Sequence, residues 1–100
     1  MTLVELRAAY HADRFEVDAK HPSLPLPGAC RYCRKSWHSW KGARFEGHVR
    51  CAVSRAFVRR LVAIMRGDPR LTYVSVAAAL ELSPAVIRAW WNLHTGRRRA

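Results

Sequence analysis

Cys30-Arg31-Tyr32-Cys33, then fourteen residues, then His48-Val49-Arg50-Cys51: this stretch governs how the rest of the chain is read. Two cysteines three apart can offer both thiols to one ion from a single turn. A histidine and a cysteine three apart share one face of a helix. The four side chains together form a tetrahedral Cys3His set with no open position, the make-up of a structural zinc site. All three cysteines of the chain belong to it, and three cannot pair off as disulfides. The plain alternative is two buried thiols, a stray third and a surface histidine; the shared spacing favours one bound Zn2+. His38, between Trp37 and Ser39, is the substitute for His48 and would reach the ion if the following helix began late. His11, His21 and His94 have no partner at ligand spacing.

Outward from the ligands, residues 34–44 read as a short β-hairpin, with Gly42 near its turn and aromatic residues alternating with polar ones. Phe45 to Met65 reads as one long helix carrying His48 and Cys51 in its first turns. Its apolar stripe is Phe45, Val49, Ala52, Val53, Ala56, Phe57, Leu61, Ile64 and Met65, and Arg50, Arg55, Arg59, Arg60 and Arg66 stand largely off it. Gly67-Asp68-Pro69 stops the helix. Knuckle, hairpin and ligand-bearing helix in this order resemble a treble-clef zinc finger.

Two shorter helices are predicted next, the first from Leu71 to Leu80, and both fall largely in the segment from Tyr73 to Trp90. The first is built on Val74, Ala77, Ala78 and Leu80; the second is N-capped by Ser83, with Pro84 in its first position and Gly96 past its end. This segment resembles a helix-turn-helix motif: small Ala77 where the helices touch, Leu80 and Leu82 around the turn, then Ile87 and Trp90 facing the core. It departs from that motif at Glu81, where glycine is usual, so a side chain must tolerate an unusual backbone there. The resemblance implies a recognition helix from about Pro84 to His94 with Ser83, Ala85, Arg88, Ala89 and Asn92 toward base edges. Arg88 suits guanine and Asn92 adenine. Trp91 is expected to point partly outward.

Charge names the class of partner. Eighteen basic against seven acidic side chains give +11, most of the basic ones arginine, the residue that grips phosphate bidentately. Residues 1–20 are net acidic, whereas the excess begins at the knuckle and runs to the C-terminus. Such a field attracts polyanions, double-stranded DNA first. Arg31, Arg34, Lys35, Lys41 and Arg44 around the knuckle, and Arg97, Arg98 and Arg99 in the tail, are the expected phosphate contacts. Trp37 and Trp40 sit among them and are expected to cover the small module's core.

The expected architecture is therefore mainly α with a small β-hairpin, a treble-clef-like zinc module joined to a helix-turn-helix. Residues 1–20 form an N-terminal helix with a Thr2/Glu5 capping box, frayed near Phe15. Residues 28–66 hold the Cys3His module, 69–96 the helix-turn-helix and 97–100 a basic tail. No apolar run approaches eighteen residues, so no membrane span is expected, and the first residues lack the pattern of a secretory signal. A cytoplasmic protein is the expectation.

Knuckle, G-H-x2-C segment and AAALxLS-type second half together resemble small proteins of actinobacterial phages usually described as DNA-binding, over about residues 28–95. The resemblance implies transcriptional control or host takeover, and a host cytoplasm if the chain is phage-encoded. The first reading is a regulator without catalytic activity; a single recognition helix reads few base pairs, so homodimerisation through the N-terminal helix is one route to a longer site. An adaptor that grips a host protein through the zinc module and surface tryptophans is the rival from another class. A terminase small subunit is a further DNA-binding possibility. An HNH-type nuclease fits poorly, because it needs a general-base histidine and an unspent metal position, and His48 is consumed by the closed shell.

Overall fold

The computed structural model describes residues 2–24, 28–38 and 45–96. Most of the expected hairpin, with Trp40, Lys41 and Arg44, and the tail residues Arg97, Arg98 and Arg99 lie outside the described residues.

Helix α1 spans Leu3–Lys20. Thr2 caps it, its hydroxyl oxygen accepting the Glu5 N–H at 3.2 Å and its O–H donating to the Glu5 carboxylate at 3.3 Å. The helix continues unbroken through Phe15, where fraying was expected, although that side chain is exposed. Leu6 and Tyr10 are its buried residues. Farther along, Asp13, Arg14 and Asp18 bond to the knuckle and to the segment after the second ligand pair, which holds the last two turns in place.

The single helix expected from Phe45 to Met65 is in fact two pieces, a 3-10 helix over Val49–Cys51 and helix α2 over Arg55–Gly67. Ser54 makes the break. Its backbone is extended, its hydroxyl accepts the Phe57 N–H at 3.2 Å, and its own N–H and O–H both go to the Asp13 carboxylate of α1. A residue in that capping conformation starts a helix and cannot continue one from upstream. The new start resets the packing phase. Phe57, Val58, Leu61, Val62 and Met65 are buried, while Ala56, expected on the stripe, is exposed.

A small β-hairpin is not supported. Among the described residues there is no strand, only an isolated antiparallel bridge between Ala29 and Ser36 that closes the knuckle. The chain re-entering at Phe45 crosses the knuckle through one backbone bond, Arg31 N–H to Glu46 C=O at 2.9 Å, instead of pairing along it.

Helix α3 spans Tyr73–Leu80, opened by a reciprocal Thr72/Ser75 capping box, and α4 spans Pro84–Thr95, capped by Ser83 and ended by Gly96 in the left-handed region. Between them Glu81 adopts φ 58° and ψ 42°, so the position where glycine is usual does take the left-handed conformation, with glutamate in it. Val76, Ala77 and Leu80 form the buried face of α3; Val74, expected in the core, is 65 % exposed. α4 buries Val86, Ile87, Trp90 and also Trp91. Trp91 was expected to point partly outward, but it is covered by the Arg66 guanidinium, 5.6 Å above its ring.

α3 packs on α4, α4 on α2 and on the 3-10 helix, and α1 on α2 and α3. The centre is Trp90, fully buried and in ring contact with Tyr10 of α1, Phe57 of α2 and Phe45 of the ligand segment. One hydrophobic core thus runs through all the segments. Among the described residues no helix is long and apolar enough to cross a membrane.

Candidate metal centre

The knuckle is a tight loop whose backbone folds back on its first cysteine. Arg34 N–H donates to Cys30 C=O at 2.8 Å, Cys30 N–H to Lys35 C=O at 2.8 Å, and Trp37 N–H to Gly28 C=O at 2.8 Å. Gly28 and Arg34 both take positive φ to allow this. On the other side, Cys51 N–H donates to His48 C=O at 2.9 Å, forming the 3-10 turn that sets the two side chains three residues apart on one face. His48 and Cys51 are thus presented by a free-standing turn, not by the first turns of a long helix.

Cys30, Cys33, His48 and Cys51 converge, their ligand atoms all within 4.8 Å of one another. Cys33 Sγ is 3.4 Å and Cys51 Sγ 3.9 Å from His48 Nδ1. A tetrahedral zinc with ordinary bond lengths would put sulfur and nitrogen about 3.5 Å apart, so the set fits one such ion, taking His48 through Nδ1. Cys30 is the innermost ligand, fully buried, and its sulfur also accepts the His48 N–H at 3.4 Å. Gly47 permits that approach. A Cβ there would lie 2.5 Å from Cys30 Sγ and 3.0 Å from Tyr32 Cδ2.

The electrostatics also call for a cation. Burial raises the Cys30 thiol, but N–H donors from the backbone of Cys33, His48 and Tyr32 outweigh it and bring the pKa down to about 6. Cys51 goes the other way, to about 11, through burial first and then the charges of Cys30 and Cys33. Three thiols this close cannot all ionise unaided, and a divalent ion removes the conflict. With four protein ligands the shell is closed, which suits a structural role.

Around the ligands lies a polar network that sequence reasoning missed. Arg14 donates to Ala52 C=O at 2.6 Å, to Tyr32 Oη at 2.9 Å and to Asp18 at 2.9 Å, and its guanidinium lies 4.9 Å over the Phe45 ring. Tyr32 donates to Asp18 at 2.8 Å; burial first, then this acceptor, pushes its pKa up to about 12. The available signal was the i, i+4 pair Arg14/Asp18 and the gathering of acids on α1 of a basic chain.

The expected contact residues divide. Arg31, expected on phosphate, is engaged within the protein: 2.9 Å from Glu46, 3.8 Å from Asp18, and bonded to the carbonyls of His21 and Asp18. Arg31 and the Ser23 hydroxyl hold the Glu46 carboxyl below its usual range, the Ser23 bond contributing most. Arg34 and Lys35 are exposed. On α4, Arg88 is exposed, Ala85 and Ala89 are partly so, and the Ser83 hydroxyl is used in capping, accepting the Ala85 N–H at 3.3 Å. Asn92 is half-buried, with Oδ1 inaccessible and without a hydrogen-bond partner among the described residues. Ala89, Asn92 and Leu93 form one wall of a cleft of about 480 Å³ whose opposite wall is Trp37, His38, His48, Val49 and Arg50. His38 therefore lines the cleft beside the centre, and the ligand cluster is completed by His48.

Comparison with known proteins adds no anchor: no protein family, curated protein or solved structure matches this chain significantly.

Proposed function

We propose that the protein is a non-catalytic DNA-binding regulator in which one structural Zn2+, held by Cys30, Cys33, His48 and Cys51, braces a helix-turn-helix formed by α3 and α4. The observation that carries this reading is the division of α4. Ile87, Trp90 and Trp91 anchor it in the core, while Arg88 stands exposed between small Ala85 and Ala89, on a chain of charge +11. A helix held rigidly from behind, with a bare arginine and small neighbours in front, suits entry into a major groove. The three-residue turn and the left-handed backbone at Glu81 support the helix-turn-helix reading. The likeness to actinobacterial phage proteins supports a role in transcriptional control in a host cytoplasm.

The deciding experiment is an unbiased selection of bound duplex sequences at physiological salt, with and without a chelator. An enriched motif that depends on metal supports the reading, and a featureless pool overturns it. A second reading, an adaptor for a host protein, is favoured by the cleft beside the metal centre, with Trp37, Val49, Ala89 and Leu93 in its walls. It predicts salt-insensitive binding to a protein and weak, featureless binding to DNA.

A further inference from the structure

The geometry points to a phosphate-binding furrow between α2 and the C-terminal half of α4, which takes the sugar-phosphate backbone of the duplex that α4 reads. This inference rests on the DNA-binding reading above and adds a surface to it. Charge is segregated in the fold. Asp13, Asp18, Glu46, Asp68 and Glu81 are each engaged, by Ser54, Arg14, Arg31, Arg70 and Arg7 respectively. By contrast α2 carries four arginines and α4 carries Arg88 and His94, with no acidic residue in either helix.

The four α2 arginines do not share one environment. Arg60 borders a hollow with Asp13 and Glu16 of α1, and Arg66 lies over Trp91. Arg55 and Arg59 remain, both exposed, one turn apart, and forming no ion pair among the described residues. Together with Val58, Leu93 and His94 they line a cleft of about 410 Å³. Leu93 also lines the cleft that holds Arg50, so the two hollows share a wall, and among the described residues Arg50, like Arg55 and Arg59, forms no ion pair.

Residues four apart on a helix are separated by about 6 Å. A DNA strand offers one charge per about 3.4 Å of axis. Long, forked side chains at that separation can hold neighbouring phosphates of one strand. Because α4 is one wall of the furrow, a backbone held there runs beside the helix that carries Arg88.

The test is duplex binding by fluorescence anisotropy across a salt series, using the full zinc-loaded chain. Arg55→Gln/Arg59→Gln is expected to lower the slope of log K against log salt by about two, since each phosphate contact contributes about 0.9. Affinity at physiological salt should fall at least about tenfold, with the preferred sequence unchanged. Arg60→Gln/Arg70→Gln removes the same charge elsewhere and should move the slope by less than about half a unit. Equal effects of the two variants, or no effect of the first, overturn the furrow while leaving DNA binding intact. Poly-glutamate of matched charge binding as tightly as the duplex would assign the furrow to acidic partners and overturn it too. Salt-insensitive or absent duplex binding by the unaltered protein would sink both this inference and the reading beneath it.

Discussion

The indole N–H of Trp90 donates to the carbonyl oxygen of Val49 across 2.9 Å, joining α4 directly to the turn that carries two of the four metal ligands. Val49 lies between His48 and Cys51, so this bond fixes the backbone on which both side chains hang. The indole is fully buried and in ring contact with three aromatic residues. Metal centre and last helix are therefore one mechanical unit.

Trp90→Phe keeps an aromatic ring but leaves the Val49 carbonyl with only its longer bond from the Ala52 N–H, at 3.4 Å, and opens a small void. Losing one hydrogen bond of this kind costs about 0.5–1.5 kcal/mol, and the lost volume adds to it. Denaturant unfolding should show a loss of at least about 1 kcal/mol by those two contributions. Competition with a chelator should show weaker metal binding at unchanged stoichiometry. Unaltered metal affinity would mean that the turn holds its shape without the indole.

Cys33→Ser removes a thiolate from a shell with no spare ligand. Metal content should fall from one zinc per chain toward none, and a chelator should do the same to the unaltered protein. Metal binding and folding are linked in sites of this kind. A loss of about 3 kcal/mol would lower Tm by roughly 12–24 °C in a chain of this size. Elemental analysis and thermal unfolding check both outcomes; a metal-free chain that melts like the original would refute the structural role.

Gly47→Ala tests the closest approach in the site. The added methyl would lie 2.5 Å from Cys30 Sγ and 3.2 Å from the Arg31 nitrogen, and a backbone atom cannot swing aside as a long side chain can. The segment must withdraw, taking His48 with it. Metal affinity is expected to fall at least about tenfold, the scale of damage to groups that orient ligands. Isothermal titration with zinc reads it directly.

Much of this centre was legible because ligand spacing is a local property. Four residues at fixed separations, with no other cysteine in the chain, leave few ways to arrange one ion. The caps of α1 and α4 were legible for the same reason: Thr2, Ser83, Pro84 and Gly96 act within one turn of themselves. The break before α2 was not. Apolar spacing continues across residues 45–65, and Ser54 becomes a cap only because Asp13, forty-one positions away, takes its N–H and hydroxyl. Val74 and Trp91 misled likewise, since each helix face is chosen by the partner that covers it. Arg31 reads as a phosphate ligand by composition, yet folding brings Asp18 and Glu46 to it.

Glu81→Gly should stabilise the protein. Glutamate is held at φ 58°, a conformation that costs a side-chain-bearing residue about 1–2 kcal/mol and glycine almost nothing. The opposing loss is the Arg7–Glu81 pair, 3.6 Å apart with both side chains more than half exposed, and pairs of that kind contribute little. The greater freedom of glycine in the unfolded chain opposes part of the relief, which leaves a net gain of about 0.5–1 kcal/mol. Equilibrium unfolding measures it, and a destabilised variant would show that the ion pair outweighs the backbone strain.

Arg88→Ala separates base reading from charge. Arg88 is exposed on α4 while Ile87, Trp90 and Trp91 anchor the helix from behind, so its removal leaves the core untouched. A bidentate contact to guanine predicts a loss of about 1–3 kcal/mol on the preferred site and a relaxed choice at one base position. A phosphate contact predicts an equal loss on every sequence and a salt slope lower by about one. Affinities measured on the selected site and on a scrambled duplex across a salt series distinguish the two outcomes. Because α4 is braced by the metal turn through Trp90, the first outcome should also disappear when zinc is stripped from the unaltered protein, with residual binding that is weak and indifferent to sequence.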